Sequence, residues 1–276
     1  ALVWKFQKPL MASGEGDKPI IPINDARTIF SNIEVILNFN MLLREGLSAR
    51  LHNWSESQRL GDIFVQTTDY LRCYVQYVNN YSLAMECVGR CKKDLKRFVE
   101  FLRRAERDKE CRNLSFESFL IMPVQRVPRY VMLLTDLLRN TWPEHVDYED
   151  IKLALAKMKE VGDFINESKR QSENMQKLVD VNNSMSGRVP GGIIEPGRKF
   201  IKEGPIQIVD KMKLKNAYFH LFSDFVLVSK PHGSETVRFT FKARLEIEEL
   251  YAQETEHKKA EFPFKVLAYT TKERNK

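Results

Sequence analysis

Residues 116–141 read FESFLIMPVQRVPRYVMLLTDLLRNT and predict a long helix with one buried face. Ser115, directly before this segment, is a favourable N-cap residue. Pro123 and Pro128 lie inside the pattern, and each removes a backbone donor and crowds the preceding turn. Periodicity alone therefore favours a kinked helix of a bundle with a solvated polar stripe. The apolar residues recur at spacings of three and four: Phe116, Phe119, Leu120, Val127, Tyr130, Leu134 and Leu137.

The pattern upstream and directly downstream of this helix is also helical. Segments 28–43 and 62–107 carry apolar residues at helical spacing and few residues that break helices. Another helix is predicted to begin at Asp147 and to run toward Leu178. It should bury Ile151, Leu155, Met158 and Ile165. Long helices joined by short connections indicate an elongated helical bundle.

The glycine-rich segment 187–192, GRVPGG, ends the helical part of the chain. After it, apolar residues alternate with a period of two, which is typical of β-strands. The strands are predicted at 204–209, 217–222, 225–228, 238–243 and 262–269. The expected fold class is therefore multidomain α + β, with an elongated α-helical bundle followed by a small antiparallel β-barrel or sandwich.

The chain has 276 residues and a net charge of +7, and the basic surplus per residue is highest in the C-terminal third. A basic module binds nucleic acid or an anionic membrane surface. The sequence has no zinc-finger spacing, no helix-turn-helix with clustered Arg and no RNP-type strand, so we expect no nucleic-acid partner. It has no apolar run near 18 residues and no secretory leader, so we expect neither a membrane span nor secretion.

The four cysteines, Cys73, Cys87, Cys91 and Cys111, are predicted to be free thiols in a reducing cytosol. Cys87 and Cys91 share a helix face but are too far apart for an easy disulfide. They lack a CxxC spacing or a His partner, so no metal site is expected. The five histidines stand in no catalytic motif, and no phosphate-binding glycine loop is present. We therefore expect no cofactor and no covalent enzyme chemistry.

The segment Leu120–Tyr130, LIMPVQRVPRY, with the Leu pairs that follow it, closely resembles the third conserved region of the Dbl-homology domain. Segments 29–34, 60–64 and 74–79 resemble its other helical regions. Segments 198–206 and 218–224 look like the opening strands of a pleckstrin-homology domain. The resemblance implies a Dbl-homology domain at 1–186 and a pleckstrin-homology domain at 187–276, with a linker at 187–197. It also implies that the C-terminal helix of the second domain is not seen before Lys276.

The Dbl-homology family exchanges guanine nucleotides on Rho-family GTPases. The resemblance implies that the helical domain binds a Rac-like or Rho-like GTPase, remodels its switches and Mg²⁺ site, and releases GDP without covalent chemistry. The positions that match the family's GTPase-binding surface are Met122, Val124, Gln125, Arg126 and Lys159. Val124 is also compatible with a simple core position. The alternative function is a non-catalytic or autoinhibited adaptor that binds a GTPase or a membrane.

Two positions depart from the family pattern. Met122 stands where relatives commonly carry Lys or Arg, and a thioether makes no charged hydrogen bond. The family's first helix supplies a Glu that, in our alignment, falls before Ala1. The first conserved region is therefore expected to be missing, and exchange by residues 1–276 alone is expected to be feeble.

In the second domain, Lys202, Lys211, Lys213 and Lys215 lie where relatives bind phosphoinositide headgroups. No Arg accompanies them to make bidentate phosphate contacts, so weak binding to an anionic or phosphoinositide surface is expected. The alternatives are a solvated basic hairpin and, as a third functional class, a purely lipid-binding module. The expected location is the cytoplasm, with peripheral membrane association.

Overall fold

The computed structural model describes residues 1–12, 19–210, 213–232, 239–255 and 264–268. The chain forms two compact units, Ala1–Arg170 and Gln171–Lys276. The first is helical and the second is built mainly of strands, as the sequence pattern predicts. Among the helices of the described ranges, none combines the length and apolar character that a membrane span requires.

The first unit is a bundle of α-helices with short connections. A π-helical segment, Leu2–Gln7, precedes the first helix, and a 3-10 segment, Thr68–Cys73, joins the fourth to the fifth. The α-helices are α1 (Lys8–Met11), α2 (Ile23–Phe30), α3 (Ile33–His52), α4 (Gly61–Thr67), α5 (Tyr74–Asp94), α6 (Lys96–Glu106), α7 (Phe116–Arg139) and α8 (Tyr148–Ser184). Helix α8 contributes its first turns to this unit, and its residues from Gln171 onward belong to the second unit.

The core of the bundle is built around Phe116, the first residue of α7. Its ring lies 5.0 Å from the ring of Phe6, 5.9 Å from Phe30 and 6.2 Å from Phe98, measured between centroids. All four rings are fully buried. Ser115 caps the helix as predicted, because its side chain accepts a hydrogen bond from the backbone N–H of Ser118. Helix α7 is therefore the central element of the first unit.

Two segments that the pattern predicted as continuous helices are broken. Segment 28–43 is interrupted at Ser31, which has φ 47° and ends α2, and Asn32 then starts α3. The Asn32 side chain donates to the carbonyl oxygen of Cys73, which stabilises the break from another element. Segment 62–107 is divided into α4, a 3-10 turn, α5 and α6, with a break at Leu95. At the first break, a contact with another element overrides the local helical pattern.

Asp147, directly before α8, caps the start of α4. Its carboxylate accepts hydrogen bonds from the backbone N–H groups of Leu60, at 2.7 Å, and Gly61, at 3.0 Å. The backbones meet closely here, since a Cβ on Gly61 would lie 2.4 Å from the backbone N of Ile151. Only glycine fits at position 61 without a backbone shift.

The second unit contains a five-stranded sheet and a separate strand pair. The strands are β1 (Met185–Ser186), β2 (Phe200–Asp210), β3 (Lys213–Phe222), β4 (Phe225–Pro231), β5 (Phe239–Glu246), β6 (Leu250–Glu254) and β7 (Phe264–Ala268). The order in the sheet is β1-β5-β4-β3-β2, antiparallel except for the β1–β5 pair, and β6 pairs with β7. The four strands β2 to β5 form an antiparallel meander, as expected.

The segment predicted to be a linker, 187–197, is packed into the core of this unit. Val189 and Ile193 are buried with Leu178 and Val181 of α8 against aromatic residues of the sheet. Arg198 follows and is itself buried. It forms hydrogen bonds with the Asp224 carboxylate and, at 2.7 Å, with the carbonyl oxygen of Ile193. Apolar burial and the hydrogen bonds of the buried Arg198 guanidinium hold the segment against the sheet.

A buried histidine, His220 of β3, packs between the rings of Tyr218 and Phe239. Within the described residues, neither ring nitrogen has a hydrogen-bond partner, and Nε2 lies 3.5 Å from a carboxylate oxygen of Glu203. Glu203 is itself paired with Lys177 at 2.6 Å. Burial lowers the pKa of His220 from 6.5 to about 4, so the ring is neutral at physiological pH.

Candidate functional site

An open groove of about 410 Å³ lies on the first unit between α5, α7 and α8. Its floor is apolar and includes the buried residues Val78, Val127 and Ile165. Its α8 side is polar, with Lys159, Asp163, Asn166 and Lys169. The remaining lining residues are Tyr74, Pro123, Val124, Pro128, Val131 and Gly162. An apolar floor with a few polar groups on its rim is the usual composition of a binding site.

Helical periodicity explains which residues line the groove. Val124, Pro128 and Val131 lie at positions i, i+4 and i+7 of α7, so they share one side of that helix. Lys159, Asp163 and Asn166 have the same spacing on α8. Gly162 carries no side chain in the middle of the α8 side, so the groove stays open there.

The two prolines of α7 are both on the groove, and the helix continues through them. Pro123 is buried and Pro128 is exposed. In the turn before Pro123, the hydroxyl of Tyr77 on α5 donates to the carbonyl oxygen of Leu120 at 2.9 Å. On the α8 side, Asn79 of α5 donates to the hydroxyl of Ser168 at 3.1 Å. These bonds fix both walls of the groove to α5.

The structure brings together two of the five predicted GTPase-binding residues. Val124 and Lys159 both line the groove, from α7 and α8 respectively. Val124 is half-buried against the core, whereas Lys159 is exposed directly after the buried Met158. Among the described residues, none forms an ion pair or a hydrogen bond with the Lys159 ammonium. The burial of Met158 agrees with the sequence prediction.

Met122 and Gln125 lie outside the groove, on the solvent-facing side of α7. Both are exposed, and the Gln125 side-chain oxygen accepts a hydrogen bond from Arg129 at 2.8 Å. Gln125 and Arg129 are one turn apart, so this bond holds both polar groups on the same face. The predicted α7 residues therefore divide between the groove and an adjacent polar face.

Arg126 points away from the groove, toward α3. Its Nε donates to the Tyr130 hydroxyl at 3.0 Å, and the Tyr130 hydroxyl donates to Asn40 of α3 at 2.9 Å. Asn40 in turn donates to the hydroxyl of Tyr74, which lines the groove. This chain of hydrogen bonds connects α7, α3 and α5. Arg126 is itself exposed, so its contact with a GTPase stays a prediction.

Sequence reasoning missed several residues of the site. Asp163, Asn166 and Lys169 follow Lys159 on the α8 side of the groove, and Gly162 lies among them. Their three-and-four spacing from Lys159 was a usable signal, because it places them on the same helix face. No sequence pattern indicates the role of Asn40, because that role depends on contacts with two other helices.

The predicted lipid-binding lysines do not form one cluster. Lys202 of β2 is opposite Leu221 of β3, and Lys215 of β3 is opposite Ile208 of β2. Ile208 is six residues beyond Lys202 on β2. The two positions are therefore about 20 Å apart at the rise of a β-strand. Both residues are exposed. Lys211 lies outside the described residues, and Lys213 begins β3 at the same end of the hairpin as Lys215. Lys213 and Lys215 therefore share one end of the hairpin, and Lys202 lies apart from them.

The sequence matches known exchange factors. The RhoGEF domain model matches residues 1–166, which cover nearly all of the helical unit. "Guanine exchange factor for Rac 30" of Dictyostelium discoideum is 39% identical over 202 residues, covering 73% of this chain and 12% of that protein. "FYVE, RhoGEF and PH domain-containing protein 6" of Mus musculus is 32% identical over 272 residues, covering 96% of this chain and 19% of that protein. The chain thus spans less than a fifth of the length of either relative.

Solved structures share the fold of both units. The linker-DH/PH domains of p115-RhoGEF match with a TM-score of 0.76 at 20% identity, covering 99% of this chain and 87% of that chain. The DH/PH domains of PDZ-RhoGEF, solved in complex with activated RhoA, match with a TM-score of 0.73 at 17% identity, covering 99% of this chain and 85% of that chain. The predicted fold class, a helical Dbl-homology bundle followed by a pleckstrin-homology-like sheet, is confirmed. The family model matches more than half of the residues of this chain, so the chain belongs to the RhoGEF domain family.

Proposed function

We propose that this chain is the exchange module of a guanine nucleotide exchange factor for a Rho-family GTPase. The observation that carries the proposal is the groove between α7 and α8, which combines Val124 and Lys159 inside the region that matches the RhoGEF domain. The partner is a Rac-like or Rho-like GTPase. The module binds its nucleotide-free form best, remodels the switches and the Mg²⁺ site, and thereby releases GDP.

Binding alone is sufficient for this activity. A GTPase holds its nucleotide through a phosphate loop, Mg²⁺ and two mobile switch segments. A protein that prefers the nucleotide-free form must, by linkage, weaken nucleotide binding by the same factor. No nucleophile or general base is required of the module. The required property is a surface that fits one conformation of the switches better than the other.

The groove has the properties that such a surface needs. Its walls are long helices tied to α5 by one buried and one partly buried hydrogen bond, so little ordering is required when a partner binds. Its floor accepts apolar side chains, and Lys159 offers on the rim an ammonium that has no partner within the described part of the chain. A charged hydrogen bond of this kind contributes about 1.5–3 kcal/mol. If Lys159 forms it only with the nucleotide-free conformation, that free energy selects this conformation about tenfold to a hundredfold.

One residue favours a second candidate function, that of a non-catalytic adaptor. Met122, exposed on α7, stands where the Dbl-homology pattern has a cation. An adaptor with the same fold would bind the GTPase without preferring its nucleotide-free form. The exposed thioether can still pack against apolar switch residues, which is compatible with exchange on a particular partner.

Release of a fluorescent GDP analogue from a panel that includes a Rac and RhoA tests the proposal. The proposed function predicts faster release from at least one member, with selectivity among members. Binding to a GTPase without faster release would support the adaptor instead. Absence of both binding and acceleration across the panel would refute both functions.

We further propose that the second unit supports weak peripheral membrane association at the cytoplasmic face, through the end of the β2–β3 hairpin. Lys215 is exposed there, and Lys213 begins the same strand. Reversal of Lys213 and Lys215 to Glu should weaken binding to vesicles that contain anionic lipid, most strongly at low salt because exposed charges are screened. Vesicle binding that does not depend on salt, or no binding by the unchanged protein, would contradict this proposal.

A further inference from the structure

Three metal-ligating side chains meet where α2 packs against α5. Asp25 of α2 lies beside Cys87 and Cys91 of α5, and the three ligand atoms are within 4.8 Å of one another. Both cysteines are free thiols and are almost completely buried. The Asp25 carboxylate is partly accessible, so the cluster is open to small solutes on one side.

The arrangement of the two cysteines suits metal binding. Residues four apart in a helix lie one above the other on the same face, and paired ligands at this spacing are a known way for a helix to hold zinc. A third ligand must then come from another element. Asp25, 62 residues before Cys87, supplies it from the neighbouring helix.

The distances agree with a tetrahedral site. The Cys91 Sγ lies 3.6 Å from Asp25 Oδ2. With Zn–S of about 2.3 Å and Zn–O of about 2.0–2.2 Å, a tetrahedron has an S–O edge of about 3.6 Å and an S–S edge of about 3.8 Å. The first value matches the observed Cys91–Asp25 distance, and all three ligand atoms lie within 4.8 Å of one another.

Arg90 holds the carboxylate in the required orientation. Its guanidinium lies 2.6 Å from Asp25 Oδ1, which leaves Oδ2 directed at Cys91. A partner that binds one oxygen of a ligating carboxylate typically orients the other toward the metal. Arg90 also lies 3.5 Å from Cys87 Sγ and is mostly exposed, so it borders the open side of the cluster.

We propose that Asp25, Cys87 and Cys91 form a site for a thiophilic divalent cation, of which Zn²⁺ is the best fit, with solvent at the fourth position. Two sulfurs and one oxygen are a ligand set that selects zinc over magnesium or calcium. The ion would join α2 to α5 and is independent of the groove and of exchange.

Binding must displace both thiol protons into solvent as the two S–metal bonds form. A cysteine thiol with its ordinary pKa of about 8.5 is protonated at pH 7, so each of the two ligating thiols gives up one proton to the solvent. The site therefore predicts release of about two protons for each ion bound.

Cobalt(II) titration of the metal-free, reduced protein tests the proposal. We expect thiolate-to-cobalt charge-transfer absorption that saturates near one equivalent, is displaced by Zn²⁺ and is accompanied by proton release. Cys87→Ser and Cys91→Ser should abolish the band, and Asp25→Asn should weaken binding by at least about tenfold. Cys73→Ser is the matched control, because Cys73 is outside the cluster and its loss should leave the titration unchanged.

Metal protection of the unchanged protein gives a second measurement that needs no variant. Zn²⁺ should slow alkylation of Cys87 and Cys91, measured by peptide mapping, and should not protect Cys73. A band that survives Cys87→Ser and Cys91→Ser, a band that depends on Cys73, or the absence of any protection would overturn the proposal.

Discussion

Replacement of Lys159 by Ala should lower the exchange rate and leave the stability of the fold almost unchanged. The side chain is exposed and, among the described residues, forms no ion pair or hydrogen bond, so its loss should change the free energy of unfolding by less than about 0.5 kcal/mol. Its ammonium lies on the groove rim opposite Val124. Loss of one charged hydrogen bond to the GTPase removes about 1.5–3 kcal/mol, which corresponds to a fall in exchange kcat/KM of about tenfold to a hundredfold.

The assay is stopped-flow release of a fluorescent GDP analogue, with urea unfolding of the same preparations. Lys157→Ala is the control variant, because Lys157 is on the same helix but two residues away, and residues two apart do not share a helix face. It should leave kcat/KM unchanged. An exchange rate that survives Lys159→Ala in a folded protein, or an equal fall in both variants, would remove Lys159 from the interface.

Three further predictions concern single positions. Met122→Lys should restore a charged contact with the GTPase and raise the exchange rate by about tenfold or more. A lower exchange rate would indicate that the Met122 thioether packs against the partner. No change in exchange rate or GTPase affinity would place position 122 outside the interface. Gly61→Ala should destabilise the protein by about 1–3 kcal/mol in urea unfolding because the new Cβ meets backbone, whereas Gly89→Ala, where the space is open, should stabilise it by about 0.5–1 kcal/mol. The pKa of His220 is about 4 in the folded state and 6.5 in the unfolded state, so the unfolded state binds more protons between these pH values. The free energy of unfolding should therefore fall by about 3 kcal/mol from pH 6.5 to 4. An equal dependence of the unfolding free energy on pH in His220→Phe and in the unchanged protein would contradict this.

Sequence reasoning succeeded where the apolar spacing within a single helix determines which of its residues are buried. The apolar spacing of α7 predicted six of its buried residues, whereas Leu137 is only half-buried and the buried Pro123 was not predicted. The spacing of α8 predicted the burial of Met158. The family resemblance was needed to interpret the prolines and the polar residues between them. Periodicity identified the helix, and the long, unusual motif identified the family.

Features that depend on contacts between distant segments could not be predicted. Asp147 caps α4 from 86 residues away, and Asp25 joins the two cysteines of α5. No local pattern encodes either contact. Arg126 was grouped with Gln125 because the two are adjacent in the motif. The structure turns Arg126 toward Tyr130, since adjacent residues of a helix do not share a face.

The most direct test of the exchange function is the affinity of the chain for one GTPase in two states. Dissociation constants should be measured for the nucleotide-free form and for the Mg²⁺–GDP form, together with the GDP affinity of the GTPase with and without the chain. The proposed function predicts binding to the nucleotide-free form that is tighter by at least about a hundredfold, or about 2.7 kcal/mol, and weakening of GDP binding by the same factor. Equal affinity for both forms of every Rho-family member would contradict it, because a protein without differential affinity shifts no equilibrium.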